Sequence, residues 1–192
     1  LLFALYPLPD ASFDYEQVGA FKSWEHNLNG FAAHWNKNSN AGHAFDLWFM
    51  NLFPRESPFY AYSGGYLTLS FIPTLATMLL GLIAGKLISD SKSVSSLLIK
   101  FLKIGLALIL LALVLHLLGI NPIVKRIWTP AWVLFSGGLC FGFMALFTYL
   151  VDVINIEKPF FWLKVIGMNS ITAYVLAHVL DGFIHQMLLQ GF

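Results

Sequence analysis

The chain has 192 residues, of which 58% are hydrophobic and 11% charged, with a formal net charge of +1. Soluble domains average about 25% charged residues, and a soluble fold of this size keeps too much surface in water to hide so much apolar material. The near-neutral charge offers no field for nucleic acid, and the lone Cys140, set in an apolar run, excludes a disulfide framework and reads as a small apolar core residue.

The first residues, Leu1 to Leu5, carry no initiator Met and no basic leader with a cleavage site. They read as the last turns of a helix that begins earlier. The chain is therefore expected to be a piece of a longer membrane protein, with residues 1–9 as the end of a truncated transmembrane helix.

Residues 10–68 form a long polar-aromatic segment with a net charge of −3 from Lys22, Lys37 and Arg55 against Asp10, Asp14, Glu16, Glu25, Asp46 and Glu56. Disordered linkers are poor in aromatics. This segment instead carries Trp24, Trp35, Trp48, Tyr60, Tyr62, Tyr66 and several phenylalanines. It is expected to be an ordered cap on the membrane surface, where Trp and Tyr favour the headgroup level. Two short helices are expected in it, Val18–Ala33 and His43–Phe53. The string Phe53-Pro54-Arg55-Glu56-Ser57-Pro58 reads as a rigid turn, with a proline on each side of an Arg55–Glu56 ion pair. His26, His34 and His43 are spaced eight and nine apart, off any single helix face, so no metal site is expected. With Asn27, Asn36 and Asn38 nearby, polar groups set among aromatics fit a saccharide better than a metal.

Residues 69–192 are expected to be a transmembrane bundle. A crossing of roughly 30 Å of hydrocarbon takes about 20 mostly apolar residues. Four segments meet that length: about Leu69–Ile88, Leu98–Leu118, Ala131–Val151 and Phe161–Leu180. The expected fold is thus all-α, a polytopic helical bundle with about four full spans, a partial one and a long ordered outer loop. Lys86, Lys92, Lys100, Lys103, Lys158 and Lys164 cluster in two connections on one side, against Lys125 and Arg126 on the other. Basic residues mark the cytoplasmic side. That places the cap outside, in the periplasm or a lumen. Lys92, Lys100 and Lys103 can meet lipid headgroups or the phosphates of a nucleotide-bearing cofactor, and headgroup contact is the simpler reading. Lys125 and Arg126 read as interfacial anchors, and His116 as an interface or core histidine.

In the first span, Thr74, Thr77, Gly81 and Gly85 recur on one face. Small residues let helix backbones approach in lipid, so helix packing is expected there; a substrate passage is the other reading. In the fourth span, Ser170, Tyr174 and His178 lie at four-residue steps and Asp181 follows three later. These four share one helical face. A polar stripe in a span faces other helices or a wet cavity. Two readings stand: a general base, His178, oriented by Asp181, or an interhelical hydrogen-bond network. Asn169, near a helix start, can also receive an anionic group.

Four strings resemble one family. They are Phe31-Ala32-Ala33-His34-Trp35-Asn36-Lys37-Asn38, Asn51-Leu52-Phe53-Pro54-Arg55-Glu56, the Leu69–Gly81 span with Pro73 and Gly81, and Gly167-Met168-Asn169-Ser170. Together they look like the C-terminal half of the bacterial relatives of heparan-α-glucosaminide N-acetyltransferase. The resemblance implies an integral-membrane acyltransferase that moves an acetyl group from acetyl-CoA across the membrane to an amino sugar. It implies that the Gly167-Met168-Asn169-Ser170 helix lines the cofactor passage; Asn169, Ser170 and Tyr174 are the expected cofactor contacts, and His34, Trp35, Asn36, Arg55 and Glu56 the expected acceptor contacts. The family's proposed catalytic His precedes an early helix outside the matched half. His26, His34 and His43 do not match its motif, so within this sequence His178 with Asp181 is the expected catalytic pair. A further family helix would follow residue 192. The expected partners are a saccharide acceptor and membrane lipid, with a homodimer left open, and the expected location is the bacterial inner membrane. Residues 1–192 alone are expected to be inactive. The alternative function is a saccharide or lipid transporter or exporter subunit, for which a polar stripe and a small-residue seam are equally expected.

Overall fold

The computed structural model describes residues 2–10 and 12–190, and for residues 182, 184 and 188–190 the backbone alone. The described residues are all-helical, 64% helix with no strand. The chain divides into two units, Leu1–Leu146 and Phe147–Phe192. Each is described by itself.

Three helices are long and apolar enough to cross a membrane: Thr68–Asp90, Val94–Leu117 and Pro130–Val153. At 23 or 24 residues each, they extend roughly 35 Å, which matches the hydrocarbon layer. Their cores are α3 (Phe71–Asp90), α4 (Val94–Leu117) and α5 (Pro130–Thr148). The last widens into a π-helical turn over Tyr149–Val153.

These helices pack through a small apolar core of Ala84, Leu97, Phe101, Phe141 and Ala145, flanked by Leu80, Leu87, Ile104, Leu108 and Met144. Leu80, Ala84 and Leu87 are one stripe of α3. The Thr74–Gly85 seam points elsewhere: a Cβ built on Gly81 or Gly85 meets nothing within 4 Å. The small residues that do bring backbones together are on α4 and α5. A Cβ on Gly105 would lie 2.9 Å from the Gly138 carbonyl oxygen, and one on Gly138 would lie 2.8 Å from that of Gly105. Cys140 sits on the exposed side of α5 and not in the core.

The α4–α5 connection is tied by side chains. Thr129 Oγ1 donates to the Pro122 carbonyl at 2.7 Å and accepts from the amides of Val124 at 3.1 Å and Trp132 at 3.3 Å. It thereby caps α5, and Pro130 follows at the first helical position, where no amide is needed. Asn121 Oδ1 accepts from the Ala131 amide at 2.7 Å. His116 is exposed, and its Nδ1 accepts from the Ile123 amide at 3.4 Å.

The long segment differs from expectation in one half. Val18–Ala33 is not a helix. Gly19 and Gly30 take positive φ, 63° and 61°, and break the path. Turns fill this stretch and end in a 3₁₀ turn, Gly30–Trp35. The second expected helix forms as α2, Ala41–Met50, capped by Asn40, whose side chain accepts from the His43 amide. A short helical turn, α1 (Leu2–Leu5), precedes the segment. At its start, the Ser12 hydroxyl and amide both donate to Asp10, and this lowers the pKa of that carboxyl.

With little regular structure, the segment uses asparagine amides as backbone partners. Asn36 accepts from the Leu28 amide at 2.8 Å and donates to its carbonyl at 3.0 Å. Asn51 does the same for Phe59, at 2.8 and 3.0 Å. Asn38 donates to the Val18 and Tyr62 carbonyls, and Asn27 to those of Phe21 and Lys22. Asp46, 1% exposed, accepts from the Thr68 amide and so fastens α2 to the start of the first spanning helix.

In the second unit, the expected fourth span is not one straight rod. It consists of α6 (Phe161–Met168) and α7 (Ser170–Gln190), bent by 83° at Asn169. Asn169 leaves helical geometry at φ −120°, ψ 37°. Its side-chain amide donates to the Val165 carbonyl at 3.1 Å and so satisfies the end of α6 instead of continuing it.

Candidate functional site

A cleft of about 230 Å³ forms where the long segment meets the α4–α5 connection. Trp24, Trp35, His26 and Asn36 come from the segment, with Lys37 and Gly65; Val124, Arg126 and Ile127 come from the connection. The volume is below the roughly 300–1,000 Å³ of sites for drug-sized ligands. It suits one sugar ring or one lipid headgroup.

Each wall has a local cause. The reciprocal Asn36–Leu28 bonds hold the loop over residues 28–36 closed. Trp35, 8% exposed, ends the 3₁₀ turn and lies nearly parallel to Phe3, with 6.4 Å between ring centroids. Trp24 keeps 41% of its surface exposed, and His26 meets its ring edge-on at 5.1 Å. Such a partly exposed indole beside polar groups is the kind of surface on which a sugar ring or a cation rests.

Two cations converge on one turn. Gly65 has φ 72°, a conformation side chains rarely adopt. The Lys37 stem lies against it, with Cγ 2.9 Å from where a Cβ would be. The Lys37 ammonium donates to the Gly19 carbonyl at 2.9 Å. The Arg126 guanidinium donates through Nη1 to the Gly64 carbonyl at 2.8 Å. Each spends one donor on a carbonyl and keeps the rest. Among the described residues, the ion pair formed is His26 with Glu25 at 3.5 Å, and no carboxylate pairs with Lys37 or Arg126. Lys37 and Arg126 thus stand beside aromatic walls with no carboxylate within ion-pair distance.

A second hollow of about 230 Å³ lies at the start of α3, lined by Phe3, Leu67, Ile72, Pro73 and Trp128 among others. It is almost wholly apolar. Trp35 and Ile127 line both hollows. The Ser70 hydroxyl, also in its lining, is buried without a hydrogen-bond partner. Trp128 holds the far wall in an unusual backbone conformation, φ 51°, and donates its indole N–H to Thr77 Oγ1 at 3.1 Å.

The expected acceptor residues separate. Trp35 and Asn36 line the cleft, but both ends of the Asn36 amide are engaged by Leu28. His34 packs edge-on against Phe31 at 5.3 Å and is not in the cleft lining. Arg55 and Glu56 lie in a separate shallow hollow with Met50, Phe53, Pro54 and Ser57. The expected Arg55–Glu56 ion pair does not form. The Arg55 guanidinium instead rests over the Phe59 ring at 5.4 Å. His43 is buried and donates from Nε2 to the Tyr60 carbonyl at 2.7 Å, a structural bond.

In the second unit, Ser170, Tyr174, His178 and Asp181 do lie along one helix, α7, and all are exposed. His178 is oriented by a backbone group: its Nδ1 lies 3.0 Å from the Tyr174 carbonyl. A carbonyl accepts only, so Nδ1 carries the proton and the neutral ring presents its lone pair at Nε2. The Tyr174 ring lies beside it, 4.2 Å between centroids. Among the described residues no hydrogen bond joins His178 to Asp181. The same unit holds a largely apolar hollow of about 630 Å³, where Glu157, Lys158 and Lys164 stand among Phe147, Phe160 and Phe161. No cluster of His, Cys, Asp or Glu suited to a metal ion occurs among the described residues.

Sequence reading missed Trp24, Lys37 and the Gly64–Gly65 turn, and took Arg126 for an interfacial anchor. The Gly-Gly pair was a visible turn signal. Its role in joining two cations from distant positions was not. No family model, curated protein or solved structure matches the chain.

Proposed function

We propose that the protein is an integral-membrane acyltransferase that passes an acetyl or other acyl group from acyl-CoA to an amino sugar or related saccharide. The observation that carries this reading is the cleft in which Trp24 and Trp35 flank the unpaired Lys37 and Arg126. It supplies an aromatic face for a sugar ring and directional donors for its hydroxyl or anionic groups. In this reading the long segment is the periplasmic cap, the lysine-rich turns face the cytoplasm, and the membrane is the bacterial inner membrane.

His178 is the candidate base in the second unit. With Nδ1 donating to the Tyr174 carbonyl, its Nε2 is free to act as a proton acceptor within this unit. Asn169, Ser170 and Tyr174 are candidates for contact with the acyl donor, and Lys158 and Lys164 can meet its phosphates.

The test is direct. Proteoliposomes holding the protein are incubated with labelled acetyl-CoA and a panel of amino sugars. The expected result is acetylated sugar, lost on replacing His178 with Ala. Sugar uptake into the vesicles without acetylated product would replace this reading with that of a transporter.

A further inference from the structure

The hollow of about 630 Å³ in the second unit falls within the roughly 300–1,000 Å³ of small-ligand sites. Phe147, Phe160 and Phe161 give it an apolar lining, and Glu157, Lys158 and Lys164 stand among them. Phe147 and Phe160 meet edge-on, with 5.7 Å between ring centroids. The three charged side chains are exposed. Among the described residues, none of the three forms an ion pair or a side-chain hydrogen bond. One apolar hollow is thus lined by two ammonium groups and one carboxylate, all without partners.

We propose that this hollow seats the head of an aminophospholipid, with its phosphate on Lys158 and Lys164, its ammonium on Glu157 and its glycerol backbone against the phenylalanines. The inference goes beyond acyl transfer and does not depend on it. Lys158 and Lys164 are also candidates for the phosphates of the acyl donor, and the experiment below separates the two occupants.

Charge argues for the head. A phosphate accepts charge-assisted hydrogen bonds from ammonium groups, and a primary ammonium donates them to a carboxylate. Two cations and one anion match a head that carries one phosphate and one ammonium. A head with phosphate alone would leave Glu157 beside a like charge. Exposed ion pairs are individually weak, so selectivity must come from all three groups acting on one ligand.

Position argues for a lipid. Phe147 and Val151 lie in the last turns of Pro130–Val153, one of the helices suited to a membrane. At 24 residues, that helix outreaches the hydrocarbon layer of roughly 30 Å. Its end therefore lies at headgroup depth. The neighbouring α6 runs at 83° to α7. With α7 across the bilayer, α6 lies along its surface. Trp162, 70% exposed on α6, and Lys164 are side chains that favour that level. A lipid reaches the hollow there without leaving the bilayer.

The experiment titrates the purified full chain in detergent with single lipids and reads the bound species by native mass spectrometry. The probes are dioleoyl phosphatidylethanolamine, dioleoyl phosphatidylglycerol and dioleoylglycerol, with acetyl-CoA as competitor. Phosphatidylethanolamine is expected to bind at least about fivefold tighter than phosphatidylglycerol and about tenfold tighter than dioleoylglycerol. Lys158→Gln combined with Lys164→Gln should weaken it about tenfold or more. Glu157→Gln should erase the preference for phosphatidylethanolamine over phosphatidylglycerol. Circular dichroism of each variant controls for folding.

Phosphatidylglycerol binding as tightly as phosphatidylethanolamine would overturn the role of the ammonium and of Glu157. Lipid binding unchanged in the double lysine variant would overturn the site. Displacement of phosphatidylethanolamine by acetyl-CoA, dependent on the same lysines, would give the hollow to the acyl donor and overturn this inference while supporting the proposed function. The expected lipid preference together with no acyl transfer to any acceptor would leave this inference standing and remove the proposed function.

Discussion

Trp128 donates its indole N–H to Thr77 Oγ1 at 3.1 Å, a bond between positions 51 apart. It fastens the α4–α5 connection to the N-terminal third of α3. Trp128 achieves this at φ 51°, a left-handed conformation that costs a bulky residue roughly 1–3 kcal/mol. The surrounding contacts must offset that cost, and the indole N–H bond is one of them.

Thr77→Val, which removes the acceptor at nearly constant shape, is expected to lower stability by about 0.5–1.5 kcal/mol. Trp128→Phe should cost at least as much. The double variant should cost clearly less than the sum, because both single changes break the same bond. Thermal unfolding in detergent micelles gives all three values. Additive losses would show that the bond contributes nothing by itself.

Gly138→Ala places a methyl 2.8 Å from the Gly105 carbonyl and 2.7 Å from Ile109 Cγ1. One neighbour is backbone and cannot yield cheaply. A loss of about 1–3 kcal/mol is expected, as for overpacking in a tight core. Gly142→Ala is the control on the same helix, with nothing within 4 Å of the new methyl. It should be neutral or slightly stabilising. Equal destabilisation by the two substitutions would contradict a close α4–α5 crossing at Gly138.

Asn36 and Lys37 are adjacent but do different work. Asn36→Ala strips both bonds from the part-buried Leu28 backbone and should cost about 1–3 kcal/mol. Limited proteolysis should then cut the loop between Asn27 and Trp35 faster. Lys37→Gln should leave proteolysis unchanged and alter ligand binding alone. Loss of binding in Asn36→Ala without faster cleavage would instead show the amide to be a ligand contact.

The His178 geometry separates two carboxyl-level expectations. His178→Asn keeps a donor for the Tyr174 carbonyl and removes the Nε2 base, so transfer should fall about a hundredfold or more with folding intact. Asp181→Asn should change turnover less than about tenfold, since no hydrogen bond joins Asp181 to His178 and orientation comes from the Tyr174 carbonyl. A larger effect from Asp181→Asn than from His178→Asn would transfer the role to the carboxylate.

The three apolar helices were legible because a long uninterrupted greasy run has few alternatives. The expected Leu69–Ile88 and the observed Thr68–Asp90 differ by two residues at most. The bend at Asn169 was not legible, because a single asparagine within an apolar run gives no period of its own; its side chain had to find the Val165 carbonyl. The same applies to the long segment. Its aromatic density marked it as ordered, yet the order comes from Asn27, Asn36, Asn38 and Asn51 bonding to backbone, which leaves no helical or strand rhythm. At Val18–Ala33 an apparent helical pattern lost to Gly19 and Gly30. Of the expected acceptor residues, Trp35 and Asn36 line the cleft and His34, Arg55 and Glu56 do not, while Arg126 reaches it from 62 positions beyond Gly64.

The glycine crossing has a mechanical consequence. Where α4 meets α5, the contact is carbonyl against backbone at Gly105 and Gly138, and such surfaces interlock. Where α3 meets α5, the neighbour of Gly137 is the tip of Leu80, which can change rotamer. The two joints thus differ in compliance. At the α4–α5 joint backbone presses on backbone, whereas at the α3–α5 joint a rotatable side chain is the contact.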